Sequence, residues 1–131
     1  MTIATDPLAF IVEDDEKLVT IFSRALKEAG FKVQNAKDGQ EAIELLARLE
    51  PAVIVLDLHL PGATGDKVLA HIRSNERLKK TTVILATADP IMADSLSEQS
   101  DFVLLKPISF SQLRDLTARL RQLPNEKENL L

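Results

Sequence analysis

The stretch Ala52-Val-Ile-Val-Leu-Asp57-Leu-His59-Leu-Pro61-Gly62 limits the fold of this chain more than any other. Five apolar residues run straight into a carboxylate. An apolar run of that length, rich in Val and Ile, suits a strand buried on both faces, as in a parallel sheet. Asp57 then stands where the strand emerges into a loop marked by Pro61-Gly62. In an open parallel sheet, ligands bind in the crevice at the carboxyl ends of the strands. Asp57 is therefore either a loop cap or a reactive group, and the rest of the chain has to decide which.

Apolar runs and helical patterns alternate five times. Strands are expected at 8–12, 31–35, 52–56, 82–87 and 102–105, with 31–35 the more polar and so at an edge. A helix over 15–29 places Leu18, Phe22, Ala25, Leu26 and Ala29 on one face, and Gly30 stops it. Asp38 and Glu41 have the spacing of an N-cap and its partner, before a helix that turns Ala42, Ile43, Leu46 and Leu49 inward. A third helix covers about 66–74. Asp89-Pro90 opens a short fourth one, as N-cap and first helical residue. Ser109 with Gln112 opens the fifth, which Pro124 closes, with Phe110, Leu113, Leu116 and Leu120 inward. Five β-α units imply a doubly wound α/β fold: a five-stranded parallel sheet of order 2-1-3-4-5, flavodoxin-like, with right-handed crossovers. One domain is expected over 1–124, followed by a flexible tail at 125–131.

Composition narrows the class. With 45% hydrophobic and 27% charged residues the chain reads as a soluble globular domain. The net charge of −4 and the lack of a basic stripe argue against direct nucleic-acid contact. The apolar run at 8–12 is too short for a signal peptide or a membrane span. There is no cysteine, which excludes disulfides and fits a cytoplasmic setting.

The 2-1-3-4-5 order puts the ends of strands 1 and 3 side by side. Strand 1 ends in Val12-Glu13-Asp14-Asp15 and strand 3 in Asp57, so several carboxylates share one crevice. Their repulsion calls for proton sharing, a bound cation or side chains that point apart. An all-oxygen acidic set suits a hard cation, Mg²⁺ above all. One of Asp14 and Asp15 is expected to cap the first helix instead. Thr87 ends strand 4 and Lys106 ends strand 5. Singly, each is an ordinary cap or a solvated charge. Together, acids, hydroxyl and ammonium describe a phosphoryl site with Asp57 as nucleophile.

These residues, taken in order, resemble the receiver domains of two-component response regulators over about 8–123. The matching pieces are Ile11-Val12-Glu13-Asp14-Asp15, Asp57 with Pro61 and Gly65 in D-x-x-x-P-x-x-x-G, Ala86-Thr87-Ala88, and Lys106-Pro107. The resemblance implies that Asp57 is the phosphoacceptor, taking a phosphoryl group from a sensor histidine kinase or a histidine phosphotransfer protein. It implies that Asp14 and Asp57 bind Mg²⁺, helped by Glu13 and the backbone carbonyl of His59. Thr87 and Lys106 contact phosphoryl oxygens, and small Ala88 keeps the site open. Such a domain catalyses only its own phosphorylation and dephosphorylation. It signals through the surface of helix 4, strand 5 and helix 5, where an output domain or a second copy would bind. His59 and Asp89 hold positions that flank the path of attacking water in receivers. They tune dephosphorylation if the two side chains meet.

Two departures fall on that output surface. The family usually has Tyr or Phe three residues before the lysine, as a ring that swings inward; here Val103 stands there. Thr87 to Lys106 spans 19 residues (106 − 87), shorter than usual by about one helical turn. Gln99-Ser100 replaces the usual Gly-Ala. Two other readings stay open: a receiver-like docking module indifferent to phosphate, and a Mg²⁺-dependent phosphatase with an aspartyl nucleophile. The phosphatase usually has a second acid two residues after the nucleophile, where this chain has His59. His71 is expected in a surface groove without a function, and Gly62 and Gly65 as turn residues.

Overall fold

Val53–Leu56, the run that ends at Asp57, forms the central strand of a parallel sheet and is buried along its whole length. The computed structural model describes residues 6–122. Within them lie β1 (Leu8–Val12), α1 (Glu16–Glu28), β2 (Lys32–Ala36), α2 (Gly39–Leu46), β3 (Val53–Leu56) and α3 (Gly65–Ser74). These are followed by β4 (Thr82–Thr87), α4 (Pro90–Ser95), β5 (Phe102–Leu105) and α5 (Phe110–Gln122). Single 3-10 turns at Glu76–Leu78 and Ser97–Gln99 precede β4 and β5. The sheet order is β2-β1-β3-β4-β5, all parallel, as the strand-helix alternation requires. The expected tail at 125–131 and the closure of the last helix at Pro124 lie outside the described residues.

Alternation along the strands divides the core into two layers. Phe10, Val12, Ile54, Leu56 and Leu85 face Leu46 of α2, Val68, Leu69 and Ile72 of α3, and Ala93 of α4. Ala9, Ile11, Val55, Ile84 and Ala86 face Phe22, Ala25 and Leu26 of α1 and Leu113 of α5. Side-chain caps start four of the five helices, at Asp38, Asp89 and Ser109 as the sequence indicates and, of the two candidate acids before α1, at Asp15. Asp15 accepts from the N–H groups of Lys17 (2.9 Å) and Leu18 (3.3 Å), Asp38 from Glu41 (2.7 Å), Asp89 from Met92 (2.9 Å) and Ser109 from Gln112 (3.0 Å).

Some local details differ from the expectation. β2 begins one residue late, at Lys32, because the Phe31 N–H closes α1 on the Leu26 carbonyl beyond Gly30 at φ +101°. α2 ends at Leu46, and Leu49 packs on the core from beyond the helix. Arg77 donates to the carbonyls of Leu46 and Leu49 and so finishes that end. In α5, Thr117 is fully buried because its hydroxyl donates to the Leu113 carbonyl at 2.8 Å.

Gly62 is a turn residue, at φ +74°. Gly65 is not: it opens α3 directly beneath the Asp57–Leu58 backbone, where a Cβ would collide with the Asp57 carbonyl oxygen and the Leu58 Cα. Gly39, whose importance the turn pattern hides, lets the Ala63 backbone lie against the start of α2 in the same way. Both contacts fix the β3–α3 loop that carries His59.

The shortened segment before β5 is held by Arg73. It donates to the carbonyls of Gln99 (2.6 Å) and Thr81 (3.2 Å) and to the Asp101 carboxylate (3.0 Å), which also accepts from the Val83 N–H (2.8 Å). Register pairs Ile84 with Phe102 and Leu85 with Val103, so Phe102 lies on the α1/α5 face and Val103 on the α4 face. Six-residue α4 covers little of that face. Val103 and Leu105 remain 36% and 48% exposed, and Ile91 on α4 itself 83%.

Candidate functional site

Four of the five strands deliver the chemically active residues at their carboxyl ends, Glu13 and Asp14 after β1, Asp57 after β3, Thr87 at the end of β4 and Lys106 after β5, because the parallel register lines those ends up. The Asp57 N–H donates to the Val12 carbonyl (3.0 Å), which extends the β1–β3 ladder and brings Asp57 beside Glu13. The Glu13 N–H donates to the Ala36 carbonyl (3.1 Å), and the Lys106 N–H to the Thr87 carbonyl (2.9 Å). Glu13 and Asp57 are buried, at 2% and 6% exposure, whereas Asp14 is open to solvent.

One carboxylate oxygen from each of Glu13, Asp14 and Asp57 lies within 4.8 Å of the others. Lys106 reaches into this group, 2.7 Å from Glu13 and 3.5 Å from Asp57. The other Glu13 oxygen accepts from the Asp15 N–H at 3.2 Å, and an Asp57 oxygen from the His59 N–H at 3.3 Å. Three carboxylates thus face one ammonium, an excess of two negative charges in a partly buried crevice. That excess and the all-oxygen donor set fit a hard divalent cation. Asp14, exposed to solvent beside the two buried acids, is placed to hold it. Asp15 is the acid that caps α1.

An open cleft of about 280 Å³ borders the acids on the α1 side, lined by Glu13, Asp14, Glu16, Val19, Thr20, Asn35 and Lys37. Thr87 is fully buried, and its oxygen accepts from the Asp89 N–H at 3.1 Å. Ala88 beside it is exposed and adds no bulk at the mouth. Across that mouth His59 Nε2 meets the Asp89 carboxylate at 2.9 Å, so these two side chains, thirty residues apart, do come together. Val103, on the α4 face of β5, has no ring to move. His71 on α3 is half-buried, with Nε2 buried and without a hydrogen-bond partner, and belongs to none of this.

The charges perturb one another. Burial lifts the Glu13 carboxyl above its usual range, and its bonds from Lys106 and the Asp15 N–H do not cancel that rise. For Lys106 burial opposes the charge, yet the bond to Glu13 and the charges of Asp57 and Glu13 together outweigh it and raise the ammonium pKa. The Met92 N–H, then His59, hold the Asp89 carboxyl below its usual value.

A raised carboxyl pKa means that the folded protein binds the Glu13 proton more tightly than the unfolded chain does. The resulting stabilisation is full below the ordinary value of 4.5 and is lost as pH rises through the folded value. Urea midpoints in chelator should therefore fall, relative to those of Glu13→Gln, as pH rises across that window. Parallel curves for the two proteins would remove Glu13 as the strained charge.

The family model for the response regulator receiver domain matches residues 9–118. The transcriptional regulatory protein TrcR of Mycobacterium tuberculosis is 34% identical over 122 residues, covering 92% of this chain and 46% of that protein. The chain thus spans about half the length of that relative. The probable methanogenesis regulatory protein FilR2 of Methanothrix harundinacea is 29% identical over 131 residues, 91% of this chain and 84% of its own length. Among solved structures, the signal receiver domain of a putative LuxO repressor protein from Vibrio parahaemolyticus superposes with a TM-score of 0.80 at 29% identity. It covers 95% of this chain and 98% of that one. No helix among the described residues is long and apolar enough to cross a membrane.

Proposed function

The chain belongs to the response regulator receiver domain family of two-component signalling, and from that premise we propose that Asp57 accepts a phosphoryl group from the phosphohistidine of a sensor kinase or phosphotransfer protein. An Asp57 oxygen attacks phosphorus, the P–N bond breaks, and its electron pair stays on the departing imidazole. Hydrolysis reverses the state: water attacks phosphorus, the P–O bond to Asp57 breaks, and carboxylate and inorganic phosphate are released. A bound Mg²⁺ supplies charge neutralisation for the phosphoryl oxygens. Asp14 and Asp57 would hold it, with Glu13 and the His59 backbone carbonyl. Lys106 and the Thr87 hydroxyl bind phosphoryl oxygens, and Ala88 leaves room for donor and water.

The observation that supports this reading best is the meeting of Glu13, Asp14 and Asp57 within 4.8 Å under Lys106. The His59–Asp89 contact lies across the mouth, and we assign it the role of slowing attack by water. Val103 implies a switch without a swinging ring. The apolar surface of Ile91, Val103 and Leu105 offers the α4–β5–α5 face to an output domain or a second copy.

Acetyl phosphate with Mg²⁺, followed by intact mass, tests the proposal. A lasting adduct is expected in wild-type protein and none with excess chelator. Its decay should quicken several-fold in His59→Gln. Rapid turnover without an adduct would favour a phosphatase; no reaction would favour a docking module indifferent to phosphate. An unaltered decay in His59→Gln would remove the screening role.

A further inference from the structure

Asp89 makes three bonds to three different parts of the site. Its backbone N–H donates to the Thr87 hydroxyl oxygen at 3.1 Å. One carboxylate oxygen accepts from the Met92 N–H at 2.9 Å and so holds the first turn of α4. The other meets His59 Nε2 at 2.9 Å, on the loop that follows Asp57. The only residue between Thr87 and Asp89 is the small, exposed Ala88.

We propose that Asp89 is a positioning residue that links Thr87 to the start of α4 and to the His59 loop, and carries the coupling that the missing aromatic ring at Val103 cannot. The inference rests on the receiver reading for its loaded state only.

The hydrogen-bond chemistry supports it. Thr87 is buried, so its hydroxyl needs partners within the protein. Accepting from the Asp89 N–H fixes the oxygen and leaves the hydroxyl proton free to donate to a phosphoryl oxygen. Each bond in such a chain polarises the next. A shift of Thr87 towards a phosphoryl group therefore draws on the Asp89 backbone. The same residue grips both α4 and His59, so the shift cannot stay local. α4 is the element best suited to respond. It has six residues and buries only Ala93 fully, which leaves little packing to resist a pull at its first turn. Val103 is confined to few rotamers by β-branching and lies half-exposed on the same face, so it offers no competing route.

Amide hydrogen exchange over residues 90–95 tests the link. In unloaded protein, Thr87→Val removes the acceptor of the Asp89 N–H. Exchange in that segment should then speed up about tenfold, and α5 should stay unchanged. The same substitution in an Asp89→Ala background should add no further change. With Mg²⁺ and beryllium fluoride as the phosphoryl probe, exchange at 90–95 should shift in wild-type protein and not in Asp89→Ala. Asp89→Asn should restore the shift, because the amide can still accept from Met92 and donate to His59.

Unchanged exchange at 90–95 in Thr87→Val, or a full response in Asp89→Ala, would overturn the proposal. Intact mass after acetyl phosphate is read on the same wild-type sample. A failure to load there refutes the receiver reading, while the unloaded comparison still judges Asp89.

Discussion

Asp57→Asn should abolish phosphoryl loading completely, while leaving the protein folded and more stable than wild type. The amide keeps an oxygen to accept from the His59 N–H, so the local bond at 3.3 Å survives. What it loses is the nucleophile. An amide oxygen carries no charge to donate to phosphorus and gives no stable acyl phosphate. The gain in stability has a separate cause. Neutralising one of three crowded carboxylates relieves repulsion on Glu13, whose pKa Asp57 helps to raise. The gain should show in metal-free protein at neutral pH, where the carboxylates are charged. Loading by acetyl phosphate and urea midpoints in chelator check the two halves independently. An adduct on the Asn protein would move the phosphoacceptor elsewhere. A loss of stability would mean that the pairing of Asp57 with Lys106 outweighs the repulsion. Added Mg²⁺ should raise the midpoint of wild-type protein more than that of the variant, since the variant offers one carboxylate fewer.

Gly65→Ala should damage the protein far more than its single added methyl suggests. The added methyl would sit against the Asp57 carbonyl oxygen and the Leu58 Cα. These are backbone atoms of the residues that follow the central strand, and they have no rotamer through which to yield. Overpacking against rigid surroundings costs up to about 3 kcal/mol, which lowers the melting temperature by roughly 10 °C in a domain of this size. The same displacement would shift Asp57 relative to Glu13 and Lys106, so slower loading should accompany it. Gly62→Ala is the comparison. Gly62 has φ +74°, and its nearest neighbours lie at 3.6 Å, so only the left-handed backbone conformation is penalised. That costs about 1 kcal/mol, and loading should be spared. Equal losses at the two positions would show that the close approach at Gly65 is not what requires glycine there.

Much of this molecule is set by patterns that act over short distances. The apolar run before Asp57 determines a doubly buried strand because both of its faces need cover. Five such runs alternating with helical faces determine the parallel sheet, its order and its switch point, since crossover handedness and short connections leave few other solutions. Strand ends then deliver Glu13, Asp14, Asp57, Thr87 and Lys106 to one crevice, whatever their rotamers. The caps at Asp38, Asp89 and Ser109 were equally legible, because a cap bonds within three residues of itself.

Contacts between distant residues depended on the tertiary structure. Lys106 could pair with any of three carboxylates; its strand position and the depth of the crevice bring it closer to Glu13, at 2.7 Å, than to Asp57, at 3.5 Å. Asp14 and Asp15 are alike in sequence, and only the direction of the chain entering α1 makes Asp15 the cap and leaves Asp14 facing the cation site. The need for glycine at positions 39 and 65 comes from a second backbone passing close by, which no periodicity records. The Arg73 tie to Gln99, Thr81 and Asp101 depends in the same way on acceptors supplied by the fold. So does the meeting of His59 and Asp89, because two loops thirty residues apart acquire a common position only once the sheet between them has formed.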